Sequence, residues 1–145
     1  MNIKKPAQKH DKQPMNGKVA AVMRLANAER TFESYFLYGD SNPEHRYINA
    51  SSQNSDYIVF TIPATWGLGP HDLKSHPKVI KFEPSLGFPN DPESWYAQRG
   101  EVFITDISDK NFEGRFTCYG NPIDGEDKPA LIGGTFKIDF TPPNK

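Results

Sequence analysis

Short segments in which apolar and polar residues alternate recur along this chain. In residues 57–62, isoleucine or phenylalanine occupies every even position, while tyrosine, valine or threonine occupies every odd one. Successive side chains of a β-strand point to opposite faces, so a period of two predicts a strand with one buried face. The 145 residues include 13 prolines and 11 glycines, which interrupt the chain too often for long helices. We therefore predict an all-β fold.

Segments of alternating apolar and polar residues, each bounded by turn residues, predict eight or nine strands. The strands are expected to form an antiparallel meander, because no helical crossovers separate them. Residues 20–28 are the ambiguous stretch, since their alanines also suit a helix. The polar segment 46–51 is predicted to be an edge strand. A meander can remove its exposed edges by closing into a small barrel or by folding into a two-sheet sandwich. The strand pattern leaves both architectures open.

The apolar faces of the predicted strands define a candidate core. We expect five of its large side chains to pack together, namely Phe60, Phe82, Phe116, Phe136 and Ile138. Cys118 lies on the same predicted face and is the single cysteine, so it has no partner for an intramolecular disulfide. Burial is expected to raise the pKa of its thiol and to make it a core residue.

The charge balance argues against two classes of partner. The chain has 17 Lys+Arg against 18 Asp+Glu, a net charge of -1. Nucleic acids and anionic membranes bind proteins with an excess of basic residues, so we expect neither partner. No apolar run approaches the ~20 residues of a membrane-spanning helix. These features favour a cytoplasmic protein, or an exported one if an upstream signal peptide has been removed. They leave the oligomeric state open.

The first fifteen residues differ from the rest in composition. Residues 1–15 contain four lysines and two prolines and almost no large apolar side chain. Ordering such a segment costs conformational entropy that burial does not offset, so we predict a disordered tail. Residues 16–145 are predicted to form a single β domain.

Three segments resemble the closing strands of a loose group of small bacterial β proteins. They read GEVFITD at residues 100–106, NFEGRFT at 111–117 and GTFKIDF at 134–140. In that group a G-x-V-x-I-T strand pairs with an x-G-x-F strand and a final G-T-F strand. The resemblance implies a lipocalin-like antiparallel barrel with an interior cavity, and it favours the barrel over the sandwich. Members are generally exported lipoproteins of unassigned function, whereas this chain has no cysteine near its start for lipid attachment.

Two long loops, residues 63–77 and 84–96, provide the candidate binding residues. Their aromatic side chains lie among glycines and prolines; they are Trp66, Phe88, Trp95 and Tyr96. Such side chains form an exposed apolar patch or the mouth of a cavity, or they complete the core at the end of the barrel. Our leading hypothesis is a non-enzymatic module that binds a small apolar molecule or a protein partner through these loops.

The alternative function is a metal-assisted hydrolase that uses His71, Asp72 and His76. Imidazole and carboxylate groups are ligands of zinc and similar ions. The five-residue separation of the histidines does not match a helical H-x-x-x-H motif, and no predicted helix or strand supports the ligands. We therefore expect no metal, cofactor or catalytic residue here, and we expect Trp66 to pack against Trp95 or Tyr96.

Overall fold

The computed structural model describes residues 13–25, 28–83, 94–108, 110–120 and 130–140, which form twelve strands and no helix. In chain order the strands are β1 (Gln13–Pro14), β2 (Asn16–Leu25), β3 (Ala28–Glu33), β4 (Phe36–Ser41), β5 (His45–Ser51), β6 (Tyr57–Pro63), β7 (Gly69–Asp72), β8 (Ile80–Glu83), β9 (Trp95–Tyr96), β10 (Arg99–Ile107), β11 (Asn111–Gly120) and β12 (Ala130–Asp139). Every strand pairing is antiparallel. Within the described ranges, no helix has the length and apolar character needed to cross a membrane.

The strands form two sheets, and neither closes into a barrel. The first sheet has the order β1-β4-β5-β6-β8-β9, and the second has the order β3-β2-β12-β11-β10-β7. The predicted all-β antiparallel fold is confirmed, the predicted barrel is wrong, and the sandwich alternative fits. Closure is unnecessary because the edges are protected in other ways. Strands β1 and β9 have two residues each, β7 has four, and β3 carries the charges of Glu29, Arg30 and Glu33.

The described residues form twelve strands, whereas eight or nine were predicted, because very short strands show no detectable alternation of apolar and polar residues. Strands β1, β7 and β9 are too short to show a period of two, and β7 contains Gly69 and Pro70. Pro70 is tolerated because β7 is an edge strand that pairs with β10 alone. The segment 46–51 was predicted to be an edge strand, but β5 has β4 on one side and β6 on the other.

The chain passes between the sheets at sharp corners. Between β3 and β4, the Ser34 N–H donates to the Val19 carbonyl at 2.9 Å, and the next N–H, of Tyr35, donates to the Ser51 carbonyl at 2.7 Å. The first bond belongs to the second sheet and the second bond to the first sheet. A similar pair of bonds marks the corner between β9 and β10, where Ala97 donates to Ile80 and Gln98 donates to Tyr119. The backbone is therefore hydrogen-bonded through each bend.

The core lies between the two sheets and contains the five predicted side chains. Each of Phe60, Phe82, Phe116, Phe136 and Ile138 is at most 2% exposed. Phe60 of β6 connects the sheets, since its ring centroid lies 5.2 Å from that of Phe116 and 5.6 Å from that of Phe136. The prediction that these residues share one core is confirmed.

The predicted disordered tail falls mainly outside the described residues, which begin at residue 13. Gln13 and Pro14 form β1 by pairing with Gly39 and Tyr38. Met15 packs against the core. The last three residues of the predicted tail are thus part of the sandwich, because their backbone extends the edge of the first sheet.

Cys118 is fully buried in β11, and burial raises the pKa of its thiol to about 12. We expect iodoacetamide at neutral pH to modify the folded protein much more slowly than the urea-unfolded protein, because the thiol is buried and protonated and the thiolate is the reactive species. Mass spectrometry of timed samples measures this rate. Rapid modification of the folded protein would contradict the buried position.

The same burial predicts a pH dependence of stability. In the unfolded chain the thiol ionises near its ordinary pKa of 9.0, whereas in the fold it stays protonated until about 12. The free energy of unfolding should therefore fall as the pH rises through this interval. Cys118→Ser serves as the control, because it lacks this titrating thiol.

Candidate functional site

The structure places the two tryptophans of the predicted loop site in the core. Trp66 is 8% exposed and Trp95 is 7% exposed. The Trp95 ring packs edge-on against Phe82 with centroids 5.6 Å apart. Tyr96 is 41% exposed, and Phe88 lies outside the described residues. Of the candidate loop aromatics in the described part of the chain, only Tyr96 presents an extensive surface to a ligand.

The histidines of the candidate metal cluster pack around Trp66. The His71 ring stacks on the indole with centroids 4.4 Å apart and a 6° angle between planes, and His76 meets the indole edge-on at 5.1 Å. Each imidazole also has a carbonyl partner. His71 Nε2 lies 2.7 Å from the Gly67 oxygen, and His76 Nδ1 lies 3.2 Å from the Asp72 oxygen. Trp66 therefore packs against imidazoles where we expected Trp95 or Tyr96.

Asp72 uses its carboxylate within its own turn. One carboxylate oxygen accepts hydrogen bonds from the N–H and the hydroxyl of Ser75, both at 3.1 Å. Desolvation acts to raise the pKa of Asp72, but these bonds and the N–H of Lys74 outweigh it and lower the pKa. Across the described ranges, no group of three or more His, Cys, Asp or Glu side chains could hold a metal ion.

Three exposed aromatic rings converge at another place, beside the corner between β3 and β4. Tyr35 is 60% exposed, Phe36 is 51% exposed, and Tyr57 is 38% exposed. Together with four polar residues they line a groove of about 450 Å³, which we call the aromatic groove. The lining residues are Tyr35, Phe36, Ser51, Ser52, Gln53, Ser55 and Tyr57.

Strand register brings the groove residues together. Phe36 of β4 lies opposite Ser51 of β5, and Ser51 lies opposite Tyr57 of β6. Tyr57 points outward because the alternation in β6 directs Ile58 and Phe60 into the core. The Tyr35 and Phe36 rings meet edge to face with centroids 4.9 Å apart. Strands β4 and β6 thus place aromatic rings on one side of the first sheet, with Ser51 of β5 between them.

The turn between β5 and β6 forms a stiff wall of the groove. The Ser52 hydroxyl accepts hydrogen bonds from the N–H groups of Asn54 and Asp56, both at 3.2 Å. The Ser52 N–H donates to the Asp56 carbonyl at 2.9 Å, and the Ser55 N–H donates to the Ser52 carbonyl at 3.0 Å. Ser55 has a φ of 67°, a left-handed conformation that is uncommon for serine. These bonds hold the turn in one conformation and offset the strain at Ser55.

A buried ion pair connects this turn to the second sheet. Asp56 is 1% exposed, and its Oδ2 lies 3.1 Å from Nε of Arg30 in β3. Removing a carboxylate from water is costly unless a cation and hydrogen bonds compensate. The pair therefore fixes the groove wall relative to β3 as well as to its own strands.

The lining of the aromatic groove is uncharged. It consists of three aromatic rings, three serine hydroxyls and one glutamine amide. Tyrosine, serine and glutamine side chains each offer both a donor and an acceptor. The groove can therefore contact an apolar surface and hydrogen-bond the polar groups around it, and it has no charge with which to select an ion.

The sequence did not predict the aromatic groove, because the candidate binding residues were the aromatic residues of the two long loops. One signal was present in the strongest alternation of the chain, where Tyr57 occupies the solvent-facing side of β6. An outward-facing aromatic on an antiparallel sheet departs from the usual polar outer face. The convergence of Phe36 and Tyr57 depends on strand register, which the sequence pattern does not contain.

Comparison of the chain with protein-family models, with curated proteins and with solved structures finds no match. No relative therefore suggests a ligand or a reaction for this chain.

Proposed function

We propose that this protein is a non-enzymatic binding module that takes a small, uncharged, ring-containing ligand in the aromatic groove. The proposal keeps the binding function predicted from the sequence and moves its site away from the loops 63–77 and 84–96. Trp66 and Trp95 are too buried to contact a ligand, whereas Tyr35, Phe36 and Tyr57 are exposed together.

The observation that carries the proposal is this convergence of exposed rings on one concavity. Its volume of about 450 Å³ lies within the roughly 300–1,000 Å³ of small-molecule sites. Covering apolar surface contributes about 25 cal/mol per Å², so the three exposed rings contribute to affinity. A protein partner would instead need a broad surface of about 800 Å² on each side. The concave shape favours a small molecule.

The lining supports binding over catalysis. None of the residues that line the groove carries a carboxylate, imidazole, thiol or amine. A serine hydroxyl is a weak nucleophile unless a base activates it, and the groove lining supplies no such base. The Ser52 hydroxyl is also engaged by two backbone N–H groups. The groove's chemistry is that of contact and hydrogen bonding.

Indole, a neutral ring with one N–H donor, is a suitable probe. In ¹H–¹⁵N spectra of the labelled protein, we expect indole to shift the amides of residues 35–36 and 51–57. Phe36→Ala should weaken this binding about threefold to tenfold, since a ring contact contributes roughly 0.5–1.5 kcal/mol. Leu68→Ala is the control, because Leu68 is 67% exposed and does not line the groove. Shifts confined to other parts of the protein would refute the proposed site.

A further inference from the structure

The aromatic groove continues into an aromatic outer face of the first sheet. The Phe36 and Tyr38 rings stack with centroids 6.1 Å apart and a 21° angle between planes. From Tyr38, the strand register leads across the sheet through Asn49 of β5, Val59 of β6 and Lys81 of β8 to Tyr96 of β9. All five of these residues are at least partly exposed. We call this line of residues the outer row.

The length of the outer row exceeds that of a single ring-sized ligand. It crosses five strands, and neighbouring strands lie about 4.8 Å apart, so it spans about 19 Å. Aromatic rings stand at both ends, with Phe36 and Tyr38 at one end and Tyr96 at the other. The Lys81 Nζ lies 5.6 Å from the Tyr96 ring centroid, and this cation–π contact holds the ring beside Lys81 in the outer row. A ligand that contacts both ends must be extended.

The charges of this face do not fit a nucleic acid. Strands of nucleic acid bind where aromatic rings accompany an excess of positive charge. Here Lys81 pairs with Glu83 at 3.1 Å, so its charge is compensated within the protein. The aromatic groove contributes no charge at all. The surface matches a ligand that is itself uncharged.

Hydrogen-bonding groups accompany the rings in the groove and in the adjoining part of the outer row. Gln53, Ser55 and the Tyr57 hydroxyl lie in the groove, and Asn49 lies in the outer row. These groups both donate and accept. A purely apolar ligand would leave them without partners and would lose the hydrogen bonds they make with water. The ligand must therefore present apolar faces and many hydroxyl-like groups together.

From these observations we infer that the ligand is an uncharged carbohydrate chain that starts in the aromatic groove and follows the outer row to Tyr96. A sugar ring has C–H faces that pack on aromatic rings and a rim of hydroxyls that donate and accept hydrogen bonds. A chain of such rings is extended and neutral, as the surface requires. The inference rests on the proposed binding function and specifies its ligand.

The test uses the full chain and four neutral probes, cellohexaose, laminarihexaose, hexa-N-acetylchitohexaose and indole, in calorimetric and ¹H–¹⁵N titrations. We expect at least one hexasaccharide to shift amides in residues 35–36, 51–57 and 95–96. The disaccharide with the same sugar and linkage should bind about tenfold more weakly than that hexasaccharide, because it reaches only one end of the surface. Raising the salt concentration should leave the affinity unchanged, since no ion pair forms.

Two variants separate the ends of the surface. Tyr57→Ala should weaken both the hexasaccharide and the disaccharide, whereas Tyr96→Ala should weaken the hexasaccharide alone by about threefold to tenfold. Leu68→Ala again serves as the control. If indole binds in the groove and no hexasaccharide binds, the carbohydrate inference fails and the binding function stands. If neither binds, both fail. Tighter binding of a single-stranded oligothymidylate would also overturn the inference.

Discussion

Replacing Phe60 by alanine is expected to lower the free energy of unfolding by about 3–5 kcal/mol. Phe60 is fully buried, and its ring contacts Phe116 and Phe136 of the opposite sheet. Truncation leaves a cavity between the sheets, and the ordered strands on either side limit how far the core can collapse into it. Urea unfolding followed by circular dichroism measures the change.

Phe36→Ala is the matched control, since it removes the same ring from an exposed position. Its cost should stay below about 1 kcal/mol, as expected for a surface substitution. If the two variants were equally stable, Phe60 would not be the residue that joins the sheets.

Removing Arg30 is expected to produce the second large loss of stability. Arg30→Met removes the cation that pairs with the buried carboxylate of Asp56, which should cost about 3 kcal/mol. This value is at the lower end of the range for buried pairs because the Arg30 side chain is 23% exposed. Thermal and urea unfolding both report the change.

The exposed pair Lys18–Glu33 provides the comparison for Arg30. Its atoms are 2.7 Å apart, but more than half of each side chain is exposed. Lys18→Met should therefore cost less than about 1 kcal/mol. The double variant Arg30→Met with Asp56→Leu should recover much of the loss, because it removes the buried charge as well. A loss for Arg30→Met no greater than for Lys18→Met would contradict the role of this pair.

Alternation predicted the parts of the fold in which one strand face is buried. In β6, and in the hairpin of β10 and β11, every core residue that we expected is buried. These predictions succeed because the inward and outward sides of a strand differ in hydrophobicity. Alternation carries no information on which strands pair, however. The position of β12 between β2 and β11 depends on contacts between distant parts of the chain, so the sequence could not decide between barrel and sandwich.

The misplacement of β5 has a related cause. Its outward residues include Tyr47 and Asn49, and we interpreted their polarity as the mark of an edge strand. The structure shows that β5 lies inside the first sheet, with both backbone edges hydrogen-bonded to neighbours. Polar outward residues report that one face contacts solvent. They do not report whether a strand has one neighbour or two.

The candidate site of the structure contains aromatic residues, as the sequence hypothesis did, but at other positions. The hypothesis placed exposed aromatic side chains in the long loops, whereas glycine and proline neighbours do not keep Trp66 exposed. Its ring is covered by the imidazole of His71, in β7, and by that of His76. The groove residues Phe36 and Tyr57 come together through register alone, and no local pattern joins them.

The pairing of β2 with β12 also orders events during synthesis on the ribosome. Strands β4, β5, β6, β8 and β9 of the first sheet emerge before β12, the last of the described strands. Until β12 appears, β2 has β3 but lacks its second partner, and Phe136 cannot cover Phe60. The nascent chain therefore exposes the inner aromatic face of its first sheet while the remainder is being made. This interval, in which the unfinished core can associate with other chains, is the stage at which a chaperone would protect it.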